Sequence, residues 1–266
     1  KTRVWFHFAP PEFEDEGALE IVVFGKNEDK TDTHARTTLH ADTLEQGSGE
    51  SFAETLTQVP GVSMASGTTG AAKPIIRGQH ERRLLVLNDG VRHESQKWGP
   101  DHATEIDPYS AGSISVVRGA AGARYGADAI GGVILLEPPP MRDQAGYGGH
   151  TVGAFFSNGM QPYGALRVDF VPESKGNISM RIEGNYAKSA SLQTPNYTLG
   201  NTGSTVWNAG ASLEARQPWG NLRLNAHHYD TQAGIFYGVV LSSPSDFEAQ
   251  LDDGRPLNAD LWSPTY

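Results

Sequence analysis

Residues 178–187 read ISMRIEGNYA and residues 205–216 read TVWNAGASLEAR. In the first, Ile178, Met180, Ile182 and Tyr186 alternate with Ser179, Arg181, Glu183 and Asn185. A period of two places the apolar set on one face of a strand and the polar set on the other. In the second, Trp207, Ala209, Ala211 and Leu213 oppose Asn208, Ser212, Glu214 and Arg216. Residues 221–229 set Leu222, Leu224 and Ala226 against Arg223, Asn225 and His227, and residues 164–171 set Leu166, Val168 and Phe170 against Arg167 and Asp169. Residues 147–156 fit more weakly. Working outward, the connections sort by side. Pro172 to Gly176 and Gln217 to Gly220 are short, whereas Ser189 to Thr205 and the stretch after Ala233 are long. Ladders of this length, with short turns at one end and long loops at the other, are the pattern of an outer-membrane β-barrel. A soluble β-sandwich also alternates, but ladder length and loop asymmetry favour the barrel. Residues 141–232 are therefore expected to run up and down as consecutive antiparallel strands. Ile182 and Leu224 should face lipid, and Arg181 and Arg223 the interior.

Composition supports this. The 266 residues carry 21 Lys and Arg against 31 Asp and Glu, a formal charge of −10. A non-specific nucleic-acid partner is excluded, since binding phosphates needs a basic face. No run approaches the roughly 18 apolar residues of a spanning helix, which leaves the strand as the means of crossing a membrane. There is no cysteine, hence no disulfide, thiolate metal site or cysteine nucleophile. The start, Lys1 to Pro11, lacks the basic and apolar regions of a signal peptide, so a mature form or a fragment is expected.

Upstream of Pro140 the texture differs. Residues 1–10 read as an alternating strand with Val4, Phe6 and Phe8 on one face, followed by an acidic stretch, EFEDEGALE, at 12–20. Glu20 to Gly25 is a sharp β-prone run. Ser51-Phe52-Ala53-Glu54 fits a capping box, with Phe52, Leu56 and Val59 on one helical face and Pro60-Gly61 as the stop. Ser63 to Ala72, made of small residues, reads as an exposed loop. Short strands are expected at Pro74 to Arg77, Leu84 to Asn88, Ile114 to Arg118 and Val133 to Glu137, with a tight turn at Asn88-Asp89-Gly90.

Six blocks in order then carry a family: EIVVFG at 20–25, LTQVPGV at 56–62, IRG at 76–78, VLNDGV at 86–91, VVRG at 116–119 and YGADAIGGV at 125–133. Together they resemble the plug domain of TonB-dependent outer-membrane receptors over about residues 20–137. The resemblance implies an α+β plug domain followed by antiparallel strands of an incomplete transmembrane β-barrel. It divides the chain into an N-terminal strand and acidic linker (1–19), a plug (20–140) and the first strands of the barrel (141–266). Such barrels close with about 22 strands, and about five are present. An open edge is not tolerated in lipid, so the remaining strands are expected to lie outside this sequence. Residues 1–10 faintly resemble the end of a TonB-like domain fused upstream.

The resemblance also implies site residues. Glu20, Ile21, Val22, Val23, Phe24 and Gly25 look like the TonB box, the segment that the energy-transducing protein TonB captures. An exposed β-prone segment after an acidic linker suits strand addition, although Phe24-Gly25 departs from the commoner Thr-Ala ending. Arg77 and Arg118, each before a glycine, look like plug arginines that latch onto barrel glutamates in strands not present here. Two plug segments, Ser63 to Lys73 and Arg92 to Glu105, should face outward. The second carries His93, Glu94, Trp98, Asp101 and His102 as substrate-binding candidates, with His93 and His102 as metal ligands. His227 and His228 cannot both face the lumen of one strand. Asp252-Asp253-Gly254 is a calcium-like turn without the acidic ladder of an EF-hand. No catalytic set emerges and no cofactor is indicated. The expected function is TonB-driven uptake of a metal or metal chelate, such as a siderophore, haem or cobalamin, with TonB, outer-membrane lipid and the small-molecule substrate as partners. The other reading is a β-rich surface or soluble binding module.

Overall fold

The architecture is that of a computed structural model, described over residues 6–7, 35–68, 71–97, 104–126, 128–173, 177–236, 243–256 and 259. The elements run β1 (Phe6–His7), β2 (Arg36–His40), α1 (Ala41–Gln46), α2 (Phe52–Leu56), β3 (Val62–Thr68), β4 (Ala71–Ile76), β5 (Leu84–Asn88), β6 (Val91–His93), β7 (Ser113–Arg118) and β8 (Gly132–Glu137). Then come β9 (Gly146–Phe156), β10 (Gln161–Val171), β11 (Ile178–Ser189), β12 (Ser204–Gln217), β13 (Gly220–Ala233) and α3 (Pro244–Asp253).

The plug is built on a five-stranded sheet of order β2-β7-β8-β5-β6. It is antiparallel except for the parallel pair β5–β8. Leu84, Val86, Ile114, Val116, Ile134 and Leu136 bury one face of this sheet beneath Leu44, Phe52 and Leu56 from the two short helices and Val59 just past the second. The capping box forms as read: Ser51 N–H donates to Glu54 Oε2 at 2.9 Å and Glu54 N–H to Ser51 Oγ at 3.3 Å. The helix is shorter than its apolar face suggests. Past Leu56 the chain tightens, with Val59 N–H donating to the Leu56 carbonyl, and this winding brings Val59 into the core. At Asn88-Asp89-Gly90, Asp89 (φ 49°) and Gly90 (φ 76°) are both left-handed. That is the geometry of a type I′ hairpin turn, and it folds β6 back onto β5.

One expectation is corrected. Ser63 to Ala72 is not a loop but most of a hairpin, β3–β4, with Ser63 opposite Ile75 and an irregularity between Ser66 and Thr68. Small polar residues hid it, because a two-stranded ribbon exposed along one side needs little apolar patterning.

The second sheet is the barrel wall. β9 to β13 pair in sequence order, each antiparallel to the next, and β1 adds to the free edge of β9. The strands are connected up and down, as expected. Ile182 is 61 % exposed and Leu224 59 %, while Arg181 is 5 % exposed. The apolar face therefore points outward and the polar face towards the plug. The register puts opposite charges directly across from one another on the inner face: Arg167 opposite Glu183, Asp169 opposite Arg181 and Glu214 opposite Arg223. The connection between β9 and β10 is only Ser157 to Met160, so one loop at the long-loop end is short. Asp252 and Asp253 end α3, and Gly254 follows in the left-handed conformation (φ 65°). The calcium-like turn is thus a helix C-terminus, where a glycine relieves the left-handed strain.

Replacing Ile182 by Arg should put a charge on the lipid face. Urea titration of the complete protein in phospholipid vesicles should show a loss of about 2–4 kcal/mol, with Ile182→Leu close to neutral.

Candidate functional site

The site lies between plug and wall, and four contacts hold it together. The first is the linker between the two units. Arg181 donates from Nε and Nη2 to the two carboxylate oxygens of Asp169, at 2.6 and 2.8 Å. The same guanidinium donates to the Pro139 carbonyl at 2.9 Å and the Pro140 carbonyl at 2.8 Å. Arg216 donates to the Arg142 carbonyl at 2.8 Å and to Ser179 Oγ at 2.8 Å, and Ser179 donates to the same Arg142 carbonyl. Prolines have no N–H, so Pro138 to Pro140 offer only acceptors, and the wall supplies the donors.

The second contact is the turn Pro108–Ser110. Tyr109 packs with Val152, Ala154, Tyr163 and Ala165 of the wall. Arg167 lies over the Tyr109 ring, 4.9 Å from its centre, and donates to the Tyr109 carbonyl. Burial pushes the Tyr109 hydroxyl up to about 12. The third contact is at Gly49, whose φ is +89°. A Cβ there would stand 2.5 Å from the Phe156 ring, and Gln161 Nε2 donates to the Gly49 carbonyl. The fourth is the β5–β6 turn: Asn225 Nδ2 donates to Asp89 Oδ2 at 3.2 Å, with Arg223 3.9 Å from the same carboxylate.

Cavities remain between these contacts, an outer and an inner one among them. The outer one, of about 360 Å³, lies at the long-loop end of the wall, bounded by Phe156, Asn158, Gln161, Asn185 and Tyr229 and, from the plug, by Glu50, Glu54 and Asp107. The inner one, of about 230 Å³, lies between the β5–β6 hairpin and Arg181, Glu183, Arg223 and His227. Asp107 accepts from Tyr109 N–H through Oδ1. Burial raises its carboxyl to about 6, against the opposing pull of the Tyr109 N–H and of the Asn208 and Asn185 side chains.

The sequence candidates fall in different places. His93 is on β6, lines the inner cavity and has Nε2 2.6 Å from Ser95 Oγ. Burial lowers its pKa, with Glu105 pulling the other way. Glu94 pairs with Lys97 at 2.7 Å on the surface. Trp98, Asp101 and His102 lie outside the described residues, as do Glu20 to Gly25. Among the described residues no three His, Asp or Glu side chains converge as metal ligands. Arg118 donates to the Pro60 carbonyl and to Thr37 Oγ1, within the plug. Arg77 is exposed at φ 50°, its guanidinium beside Gly119. Neither bonds to a described strand of the wall. Sequence reasoning missed Asp107, Tyr109 and Asp89. Asp107 and Tyr109 stand in no motif and Asp89 was read only as a turn residue; docking of the wall gives all three a role.

A small mixed-sheet domain packed against the polar face of an up-and-down lipid-facing wall defines a plugged outer-membrane barrel. Residues 29–133 match the TonB-dependent Receptor Plug Domain, the plug of outer-membrane receptors. The chain is 34 % identical over 140 residues to the vitamin B12 transporter BtuB of Photobacterium profundum, covering 51 % of this chain and 22 % of that protein. It is 40 % identical over 86 residues to a hemin receptor of Yersinia pestis, covering 32 % and 13 %. The chain thus spans about a fifth or less of the length of these relatives. In fold it is similar to the copper transporter OprC, with a TM-score of 0.63 at 18 % identity over 75 % of this chain and 31 % of that one. It is also similar to the ferric enterobactin receptor PfeA of Pseudomonas aeruginosa, with a TM-score of 0.61 at 20 % identity over 77 % and 33 %.

Two outcomes follow. Arg181→Ala leaves the Asp169 carboxylate buried without its partner and frees two linker carbonyls, so the complete receptor should lose about 3–5 kcal/mol. Arg181→Lys should not restore it, because an ammonium cannot reproduce the planar fork. Denaturant titration and proteolysis of the linker read this. For Asp107, the folded protein holds the proton more tightly than the unfolded chain, whose carboxyl titrates near 3.8. Its ionisation therefore costs stability as pH rises from about 3.8 to about 6. Asp107→Asn should raise the unfolding temperature at neutral pH, and the gain should fade as the solution is acidified through that window.

Proposed function

We propose that this chain is the plug and first barrel strands of a receptor that imports a metal or metal chelate across the outer membrane, powered by TonB. The observation that carries this reading is the plug domain seated against the polar inner face of a lipid-facing strand wall, its linker held by Arg181 and Arg216. A plug so placed obstructs the barrel interior, and opening a path needs work delivered from outside the barrel. Relatives named as vitamin B12 transporter and hemin receptor support a bulky metal complex as cargo. Glu20 to Gly25 is the segment through which TonB pulls, by adding a strand to it. Arg77 and Arg118 act as plug arginines towards later strands. Loop residues His93, Glu94, Trp98, Asp101 and His102 contribute to substrate contact, with His93 and His102 as the metal-facing pair.

The test is Val22→Pro, which removes a backbone donor that strand addition uses. Cells carrying the variant should bind substrate at the surface as the wild type does and fail to accumulate it. Loss of binding and accumulation together, at normal surface abundance, would remove the TonB-box role.

A further inference from the structure

Resting on that reading, we propose that cargo passes along the inner face of β11 to β13 and that the turn Asp107–Ser110 is the gate on this path. The outer and inner cavities border the same strands at successive inward positions. On β11 the outer cavity meets Asn185 and the inner one Glu183; on β13 they meet Tyr229 and His227. Inward positions two residues apart on a strand are separated by about 7 Å, so the barrier between the cavities is thin. The plug supplies it from a single turn. Pro108 borders the outer cavity and Ser110 the inner one. From the same turn the Asp107 carboxyl is buried against the side chains of Asn185 and Asn208, which stand directly opposite each other on β11 and β12.

The turn is built to part from the wall while the rest of the plug stays. Ile106 and Ala111 lie in the plug core, so only the four residues between them project. The turn holds its own shape, with Tyr109 N–H donating to Asp107 Oδ1 and Ser110 Oγ to the Asp107 carbonyl. The groups drawing on the Asp107 carboxylate are that N–H and the two amides. A carboxylate buried without a cation regains its hydration when water reaches it. This offsets the packing that Tyr109 gives up on leaving Val152, Ala154, Tyr163 and Ala165. Arg167 keeps Glu183 when it releases the Tyr109 carbonyl, so that guanidinium is not stranded. The linker, by contrast, is held by the two guanidinium groups of Arg181 and Arg216.

This chain has no cysteine, so an introduced thiol reports one position in it. The experiment places Val206→Cys (outer cavity) or His227→Cys (inner cavity) in the complete protein, in de-energised cells that lack general porins. Trimethylammonium-ethyl methanethiosulfonate added outside should label position 206 at least about tenfold faster than position 227. Adding Asp107→Ala and Tyr109→Ala should raise labelling at position 227 at least about tenfold. Asn208→Ala trims the same barrier from the wall, leaves the plug's sequence intact and should raise it severalfold. Glu45→Ala breaks a plug–wall contact away from the path, the 3.2 Å pair with His150, and should leave it unchanged. Equal labelling of the two positions behind the unaltered turn, no rise in either barrier variant, or an equal rise with Glu45→Ala would each overturn the gate. If energising the cells speeds labelling at position 227 and Val22→Pro does not abolish this, the TonB-box reading falls and the gate stands.

Discussion

Arg181 is the point on which the two units of this chain depend. Its guanidinium closes a fork on Asp169 within the wall and reaches the carbonyls of Pro139 and Pro140 in the linker. A buried guanidinium is tolerated only when its donors are satisfied, and here the satisfaction comes from both sides at once. The wall cannot shift register without opening the Asp169 pair, and the linker cannot leave without stranding Arg181. Arg216 repeats the device one strand further on, through Arg142 and Ser179. The C-terminal end of the plug is thereby fixed to the wall, while the segment proposed for TonB lies at its other end.

The inner wall is a lattice of paired charges, Arg167 with Glu183, Asp169 with Arg181, and Glu214 with Arg223 and Arg216. Each plug contact borrows from it. Tyr109 takes the spare donor of Arg167, and Asp89 faces Arg223 and Asn225. The outer cavity is the part of the interface to which this lattice supplies no cation. Its chemistry is therefore acidic and aromatic, whereas the inner cavity is lined by arginines as well as acids.

How much was legible follows from the range of each interaction. Period-two alternation is local, and a single strand suffices to show that Ile182 faces away from Arg181. The capping box spans four residues and formed as read. The stretch from Ser63 to Ala72 failed because its hairpin is stabilised by backbone pairing, which small side chains do not announce. Asp252-Asp253-Gly254 was ambiguous in sequence, because carboxylates beside a glycine fit a helix end as well as a cation turn, and the structure shows the helix end.

The sequence alone determined which face of each strand is apolar and which family the chain resembles, because alternation and short motifs are properties of neighbouring residues. Only the tertiary structure decided that Asp107 borders a cavity with no cation among the described residues that line it, that Tyr109 docks on Arg167, and that Arg181 reaches the linker. Arg181 and Pro139 lie 42 residues apart, and Arg167 and Tyr109 58 apart. Which distant residues meet is set by strand register and by how the plug seats against the wall, and neither is written in any one segment.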